Sequence, residues 1–300
     1  MKAEALNLTA ALDNSEVDFY TIPQYQRPYT WKTGEYETLW EDLAEAYQDY
    51  TDTSTKGEPP EYYFLGPVVF VKNNDKKSFD IIDGQQRITT IHIMLWYLYR
   101  RLANEIEKER IFKILTFLHR EAKLKVTTKD AATFLKICKS DDEIVDASRM
   151  AECAKYFRKR LSELANPDDF ASFLREYIQF IVIVADDYNR AWDLFIGLNG
   201  KGVPLNPTDL VKAFVCGRTD VGDSVSAIWE DKVLPLKDAS TACLLFIARF
   251  KSKKYISENA LFKEITKQFP ATIRTIDISE YSDLFYRFWK KPVDEISADF

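Results

Sequence analysis

The chain has 300 residues, enough for one large domain or two; 46% are apolar and 14% aromatic, which excludes a disordered chain. A net charge of −6 excludes a protein coated in basic surface, so any nucleic-acid binding must come from a local patch. The four cysteines (Cys138, Cys153, Cys216 and Cys243) form no C-x-x-C pair, and His92 and His119 are the only histidines; this argues against a structural zinc site and for buried thiols in a reducing compartment.

The N-terminal stretch has no continuous apolar h-region, so a signal peptide is not expected. No apolar run is long enough to span a membrane, and the expected location is the cytoplasm.

Val17 to Ile22 reads as a strand closed by Pro23. The segment from Ile22 to Trp31 follows, and its two prolines, Pro23 and Pro28, predict an extended or turning loop. A helix is expected from about Thr33, because Tyr36, Leu39, Trp40, Leu43, Tyr47 and Tyr50 fall on one helical face. Thr51 to Pro60 is polar and reads as a surface loop. Tyr63–Lys72 and Ser78–Ile82 are the strands of a hairpin turning at Asn73-Asn74-Asp75. The apolar run Ile88 to Tyr99 predicts a buried helix.

Beyond about Lys108 the pattern is mainly helical. Helices are expected over Ile111–Glu121, Ala131–Ile137, Ala147–Leu164 and Asp168–Gln179. The run Phe180–Val184 is a strand expected to join the same sheet. A helix over Tyr188–Leu198 is followed by the breaker-rich loop Asn199 to Leu205, and a new helix starts at Asn206 or Pro207. Further helices fall near Thr241–Phe250, Glu258–Phe269 and Tyr281–Lys290. The fold class is α+β, with a strand-and-helix core over 1–107 and a mainly helical region over 108–300, of which 180–217 is expected to return to that core.

The chemistry concentrates in Asp83-Gly84-Gln85-Gln86-Arg87, between a strand and a helix. A helix N-terminus offers unpaired N–H groups and the positive end of the dipole. Gly84 lets an anion approach the backbone, and Arg87 can fork onto phosphate oxygens. Gln85 and Gln86 can bind a phosphate oxygen or orient a water. Asp83 makes sense as an N-cap, a Mg²⁺ ligand or a water-orienting base. The plain alternative is a capped helix whose arginine pairs with a surface carboxylate. Five consecutive polar or glycine residues between two apolar segments favour a ligand over that alternative, since burial without partners is unfavourable.

In the loop from Pro23 to Trp31, Tyr25, Tyr29 and Trp31 offer flat faces for a base, and Gln24, Gln26 and Arg27 offer polar recognition; the aromatics could equally pack under the loop. In Phe195 to Asp209, helix-end chemistry explains Gly200, Gly202 and the prolines, but not the choice of Asn199. The basic clusters at Arg100-Arg101, Lys155 to Arg160 and Lys251 to Lys254 read as solvated helix faces, and His92 as a core or rim histidine.

In order, the chain carries I-P-x-Y-Q-R-P-Y-x-W, Y-F-L-G-P-V-V, D-G-Q-Q-R-x-T-T and F-x-x-L-N-x-x-G-x-P-L-x-x-x-D-L. This set resembles the N-terminal domain of GmrSD-type, modification-dependent DNA restriction enzymes over residues from about 6 to 217, a domain similar to the ParB/sulfiredoxin fold. The resemblance implies a module that binds a nucleoside triphosphate, with Mg²⁺, and hydrolyses it to gate DNA cleavage by a separate HNH nuclease domain or partner.

On this resemblance Asp83, Gln86 and Arg87 are catalytic, with Asp83 the expected Mg²⁺ ligand. Gly84, Gln85, Gln24, Tyr25, Gln26, Arg27, Asn199, Gly202 and Asp209 bind nucleotide. Ile196 stands where the family usually has glutamate, and Gln85 stands where sulfiredoxin has its reactive cysteine. His92 and His119 do not make an HNH site, so either the chain is part of a longer protein or it works with a partner nuclease. The competing readings are a non-catalytic, ParB-like reader of modified DNA and, more weakly, a nuclease using Asp83 and a metal.

Overall fold

The computed structural model describes residues 2–24, 26–57, 60–118, 121–142, 144, 146–188, 190–191, 194, 207–216, 227–269 and 273–290. The chain divides into two compact units, residues 1–197 and 198–300.

The first unit is built on a six-stranded mixed sheet in the order β1-β8-β3-β4-β2-β7. Its strands are β1 (Lys2–Asn7), β2 (Phe19–Thr21), β3 (Tyr63–Asn73), β4 (Ser78–Asp83), β7 (Leu124–Lys125) and β8 (Ile178–Ala185). The hairpin pair β3/β4 is antiparallel, while β8 runs parallel to β3 and β2 runs parallel to β4. The fold class is therefore α+β, as the order of elements predicts, and the Phe180–Val184 run does join the sheet beside β3.

Helix α3 (Gln85–Arg101) is buried from Ile88 to Leu98, and its apolar side chains join one core with Val68, Phe70 and Ile81 of the sheet. Around it pack α4 (Glu105–Leu115), α5 (Thr128–Lys139), α6 (Arg149–Ser162) and α7 (Pro167–Tyr177). A helix apolar on all sides must be enclosed in this way, because any exposed face would leave large side chains in water.

Three expectations change. The segment Thr51 to Pro60 is not all loop: α2 (Thr33–Lys56) continues to Lys56 and ends on Gly57 in the left-handed conformation. The hydroxyls of Thr51, Thr53 and Thr55 donate to carbonyls of the preceding turn, so their polar groups are satisfied within the helix. The helix expected over Ile111–Glu121 ends at Leu115, where β5 (Thr116–Phe117) turns extended and pairs with β6 (Glu121–Ala122). The N-terminus holds strand β1 and the short helix α1 (Leu8–Leu12), neither visible as a periodic pattern.

In the second unit lie α8 (Pro207–Cys216), α9 (Ser240–Ser252), α10 (Leu261–Gln268) and α11 (Thr275–Lys290). Its buried side chains include Trp229, Leu236, Leu244, Ile247, Leu261 and Ile265. The expected helix over Tyr188–Leu198 is described at 188, 190, 191 and 194, all helical. No helix of the described residues is long and apolar enough to cross a membrane.

Candidate functional site

The hairpin strand β4 leads directly into the site. Its register against β3 shifts: Val69 faces Asp83 but Phe70 faces Ile81. Ile82 is the extra residue of this bulge, and its carbonyl accepts a hydrogen bond from Gln26 Nε2 at 3.1 Å instead. Gly84 then takes φ 87°, and α3 starts at Gln85. A side chain at Gly84 would fall 2.6 Å from Val68 Cγ1, so only glycine fits between the sheet and the helix start. The helix cap is Gly84 itself, with no side-chain capping bond, so the N-cap reading of Asp83 is not what the structure shows.

Arg87, in the first turn of α3, donates from Nη1 to the carbonyl oxygen of Leu65 at 2.6 Å. It forms no ion pair among the described residues, and burial lowers its affinity for a proton, opposed by the nearby Asp83 charge. Burial in turn raises the Asp83 pKa above the usual carboxylate range, opposed by Arg87, the Gly84 N–H and Arg27. Asp83, Arg87 and Arg27 thus share one electrostatic environment on the N-terminal end of α3. Gln85 is 8% exposed, and its Oε1 is buried without a hydrogen-bond partner among the described residues. A buried amide oxygen with no partner is unfavourable in a finished core and fits a place where a donor arrives from outside.

The loop after β2 is fastened to this cradle. The Gln86 amide donates to the carbonyl of Pro28 at 3.1 Å and accepts from the Thr30 N–H at 2.9 Å. Tyr29, buried, bonds Thr90 of α3 through its hydroxyl at 2.7 Å, and its N–H donates to Asp130 at 2.8 Å. Gln24 accepts from the Thr128 N–H at the start of α5. These bonds leave Arg27 exposed on the loop while Gln26 is buried beneath it.

Of the residues expected to bind nucleotide, the structure therefore brings together Asp83, Gly84, Gln85, Gln86, Arg87, Gln26 and Arg27. Gln24 faces α5, and Tyr25 lies outside the described residues. Asn199, Gly202 and Ile196 also lie outside them, and Asp209 is a helical position on α8 in the second unit. His92 is fully buried, and neither ring nitrogen has a partner among the described residues. Burial, with a contribution from Lys123, lowers its pKa to about 3, so it is a neutral core residue. His119 is not among the described residues.

Leu65 and Gly66, in the Y-F-L-G-P-V-V signature but without an expected site role, hold and border the Arg87 guanidinium. The signal available was the Gly-Pro step inside an otherwise apolar strand, a mark of a bulge or of close approach. Asp130, likewise without an expected site role, is an acid in the first turn of α5 that accepts from both Tyr29 N–H and Thr127 hydroxyl.

A mixed sheet thus delivers a left-handed glycine, a buried amide oxygen with no partner among the described residues and a partly buried arginine to one helix start, in a fold of α+β class. Residues 8–216 match the family model described as GmrSD restriction endonuclease, N-terminal domain. The chain belongs to this family and is a component of a restriction system. No curated protein matches the chain.

Proposed function

We propose that this chain binds a nucleoside triphosphate at the start of α3, hydrolyses it with Mg²⁺, and thereby acts as the sensor that gates DNA cleavage by an HNH nuclease domain or partner. The observation that carries the reading is Arg87, held by the Leu65 carbonyl in the first turn of α3 with no ion pair among the described residues, beside the left-handed Gly84 that opens the helix. Phosphate oxygens are the complement of that donor set: helix N–H groups and a guanidinium fork. Gln85 Oε1 is an acceptor and suits a donor on the ligand side, such as a water of the cation shell, a nucleotide hydroxyl or a base N–H.

Mg²⁺ fits with limits. Among the described residues no three carboxylate, histidine or cysteine side chains gather to hold a metal. Mg²⁺ is commonly held by one carboxylate, waters and the phosphates themselves, and Asp83 would be that carboxylate. When bound, the ion supplies positive charge to the phosphate oxygens and shields them from Asp83. Arg87 neutralises charge on the phosphoryl group being transferred, the main requirement of such reactions. Gln86 and Gln26 hold the loop that brings Arg27 toward the same end of α3.

The test is thermal shift of the purified chain against ATP, GTP, CTP and UTP, each with and without Mg²⁺, together with phosphate release. A ligand at 100 times its Kd should stabilise by roughly 2.7 kcal/mol. Failure of all four nucleotides to shift the melting curve or release phosphate overturns the proposal. DNA nicking by this chain alone is not expected; metal-dependent nicking abolished by Asp83→Asn would favour the nuclease reading instead.

A further inference from the structure

Gly66 lies in β3 at the irregularity between Phe64 and Pro67, with φ +93°. A methyl group built on it would lie 2.9 Å from Arg87 Nη1 and 3.6 Å from Arg87 Cζ, and would meet no other atom within 4 Å apart from its chain neighbours. The residue before it, Leu65, supplies the carbonyl that accepts from the same Nη1. One step of the strand therefore anchors the guanidinium and leaves the space it occupies.

We infer that Gly66 is a positioning residue of the phosphate site, setting where the Arg87 guanidinium stands by the absence of a side chain. This inference rests on the nucleotide reading above. The contrast with Gly84 shows why the role is particular to the arginine. At Gly84 an added methyl would strike the branched side chain and Cα of Val68, at 2.6 to 3.5 Å, and the sheet itself would have to shift. At Gly66 it would strike only the end of a long side chain, which can swing away. Alanine at 66 thus strains the backbone locally, and the side chain it displaces is the guanidinium.

The anchor is also suited to a ligand. Here a neutral carbonyl holds Nη1, and among the described residues no carboxylate forms an ion pair with the guanidinium, although the Asp83 charge acts on it from nearby. Its remaining N–H donors have no partner among the described residues, and they are the ones available to phosphate oxygens.

The experiment is a double-mutant cycle on the full chain, comparing wild type, Gly66→Ala, Arg87→Lys and the double variant. Each is titrated with Mg²⁺-ATP, Mg²⁺-GTP and Mg²⁺-tripolyphosphate up to millimolar concentration, and each melting temperature is recorded. Gly66→Ala is expected to weaken binding about tenfold or more, the loss of one charge-assisted hydrogen bond. In the Arg87→Lys background the same change should alter affinity by less than about twofold, since the guanidinium it displaces is gone. The backbone strain of alanine at positive φ lowers the melting temperature in both backgrounds and so does not mimic this pattern.

Unchanged affinity in Gly66→Ala overturns the inference and leaves the nucleotide reading standing. An equal loss in both backgrounds assigns Gly66 a purely structural role. Wild-type protein that binds none of the three probes removes the nucleotide reading, and this inference with it.

Discussion

Arg87 is anchored by the carbonyl oxygen of Leu65, 2.6 Å from its Nη1, and forms no ion pair among the described residues. The guanidinium is thereby fixed in place while its charge stays available. Arg87→Ala should leave the fold intact and abolish nucleotide binding, because two charge-assisted bonds of roughly 1.5–3 kcal/mol each correspond to a loss of several orders of magnitude. Arg87→Lys should rescue poorly, since an ammonium cannot donate to Leu65 and a phosphate with the geometry of a planar fork. Melting temperature and nucleotide affinity on both variants check this. A fall in stability with unchanged binding, restored by lysine, would make the arginine structural.

Gln86 and the loop around Pro28 form a second testable unit. The amide donates to one loop group and accepts from another, which a carboxylate cannot do. Gln86→Glu keeps the acceptor for Thr30 but places a carboxylate oxygen against the Pro28 carbonyl. It should lower stability by about 1–2 kcal/mol and loosen the loop. Gln86→Ala loses both bonds and should protect the loop less, with a smaller loss in stability, since no charge opposes a carbonyl. Hydrogen exchange across residues 26–31 reads the loosening directly. Exchange in Gln86→Glu equal to wild type would show that the amide does not hold the loop.

Much of the first unit was legible because its elements announce themselves by period and punctuation. The hairpin strands, the buried helix after them and the Asp83–Arg87 step all follow from apolar runs broken by glycine and polar residues. What was not legible depends on long-range pairing. Strand β1 is exposed over most of its length and exists because β8 pairs with it, a partner about 180 residues away that leaves no local trace. Likewise Gln86 reads as a free polar residue of a phosphate cradle, yet its amide is engaged by a loop 56 and 58 positions earlier. Leu65 belongs to the site through its carbonyl, and no side-chain pattern marks a backbone oxygen. An N-cap at Asp83 agrees with the sequence, but the left-handed glycine after it takes the cap position.

His92 gives a pH prediction of defined sign. In the unfolded chain its imidazole takes up a proton near pH 6.5, whereas burial holds the folded value at about 3, with Lys123 adding to the effect. A depressed folded pKa means that stability is fully present above the unfolded value and is lost as pH falls. Its contribution therefore declines by roughly 1.4 kcal/mol per pH unit below about 6.5, until the folded pKa is reached. His92→Leu removes that dependence. Denaturant unfolding at steps from pH 7 to pH 4 should show wild type losing stability faster than the variant, while carboxylates elsewhere affect both alike. Parallel curves would mean the histidine is protonated or hydrated in the folded state.

Asp83 is the remaining group whose role divides the readings, and its pH dependence has the opposite origin. Burial raises its folded pKa above the ordinary carboxylate value, against the attraction of Arg87 and Arg27. For a raised pKa, the stabilising contribution is present below the unfolded value and is lost as pH rises through the folded one. At neutral pH the ionised carboxylate therefore weakens the unliganded fold. Asp83→Asn should raise its stability by on the order of 1 kcal/mol at pH 7, as often happens when a functional charge is removed. The gain should shrink toward zero as pH falls below the ordinary carboxylate range. The same variant should lose Mg²⁺-dependent phosphate release, because the amide cannot replace a carboxylate beside the cation. It should still bind Mg²⁺-free tripolyphosphate at least as well as wild type, since a negative charge next to the anion is gone. One substitution should thus raise stability, abolish phosphate release and keep or strengthen tripolyphosphate binding. An Asp83→Asn protein with unchanged phosphate release would remove Asp83 from the chemistry and return it to the structure of the strand end.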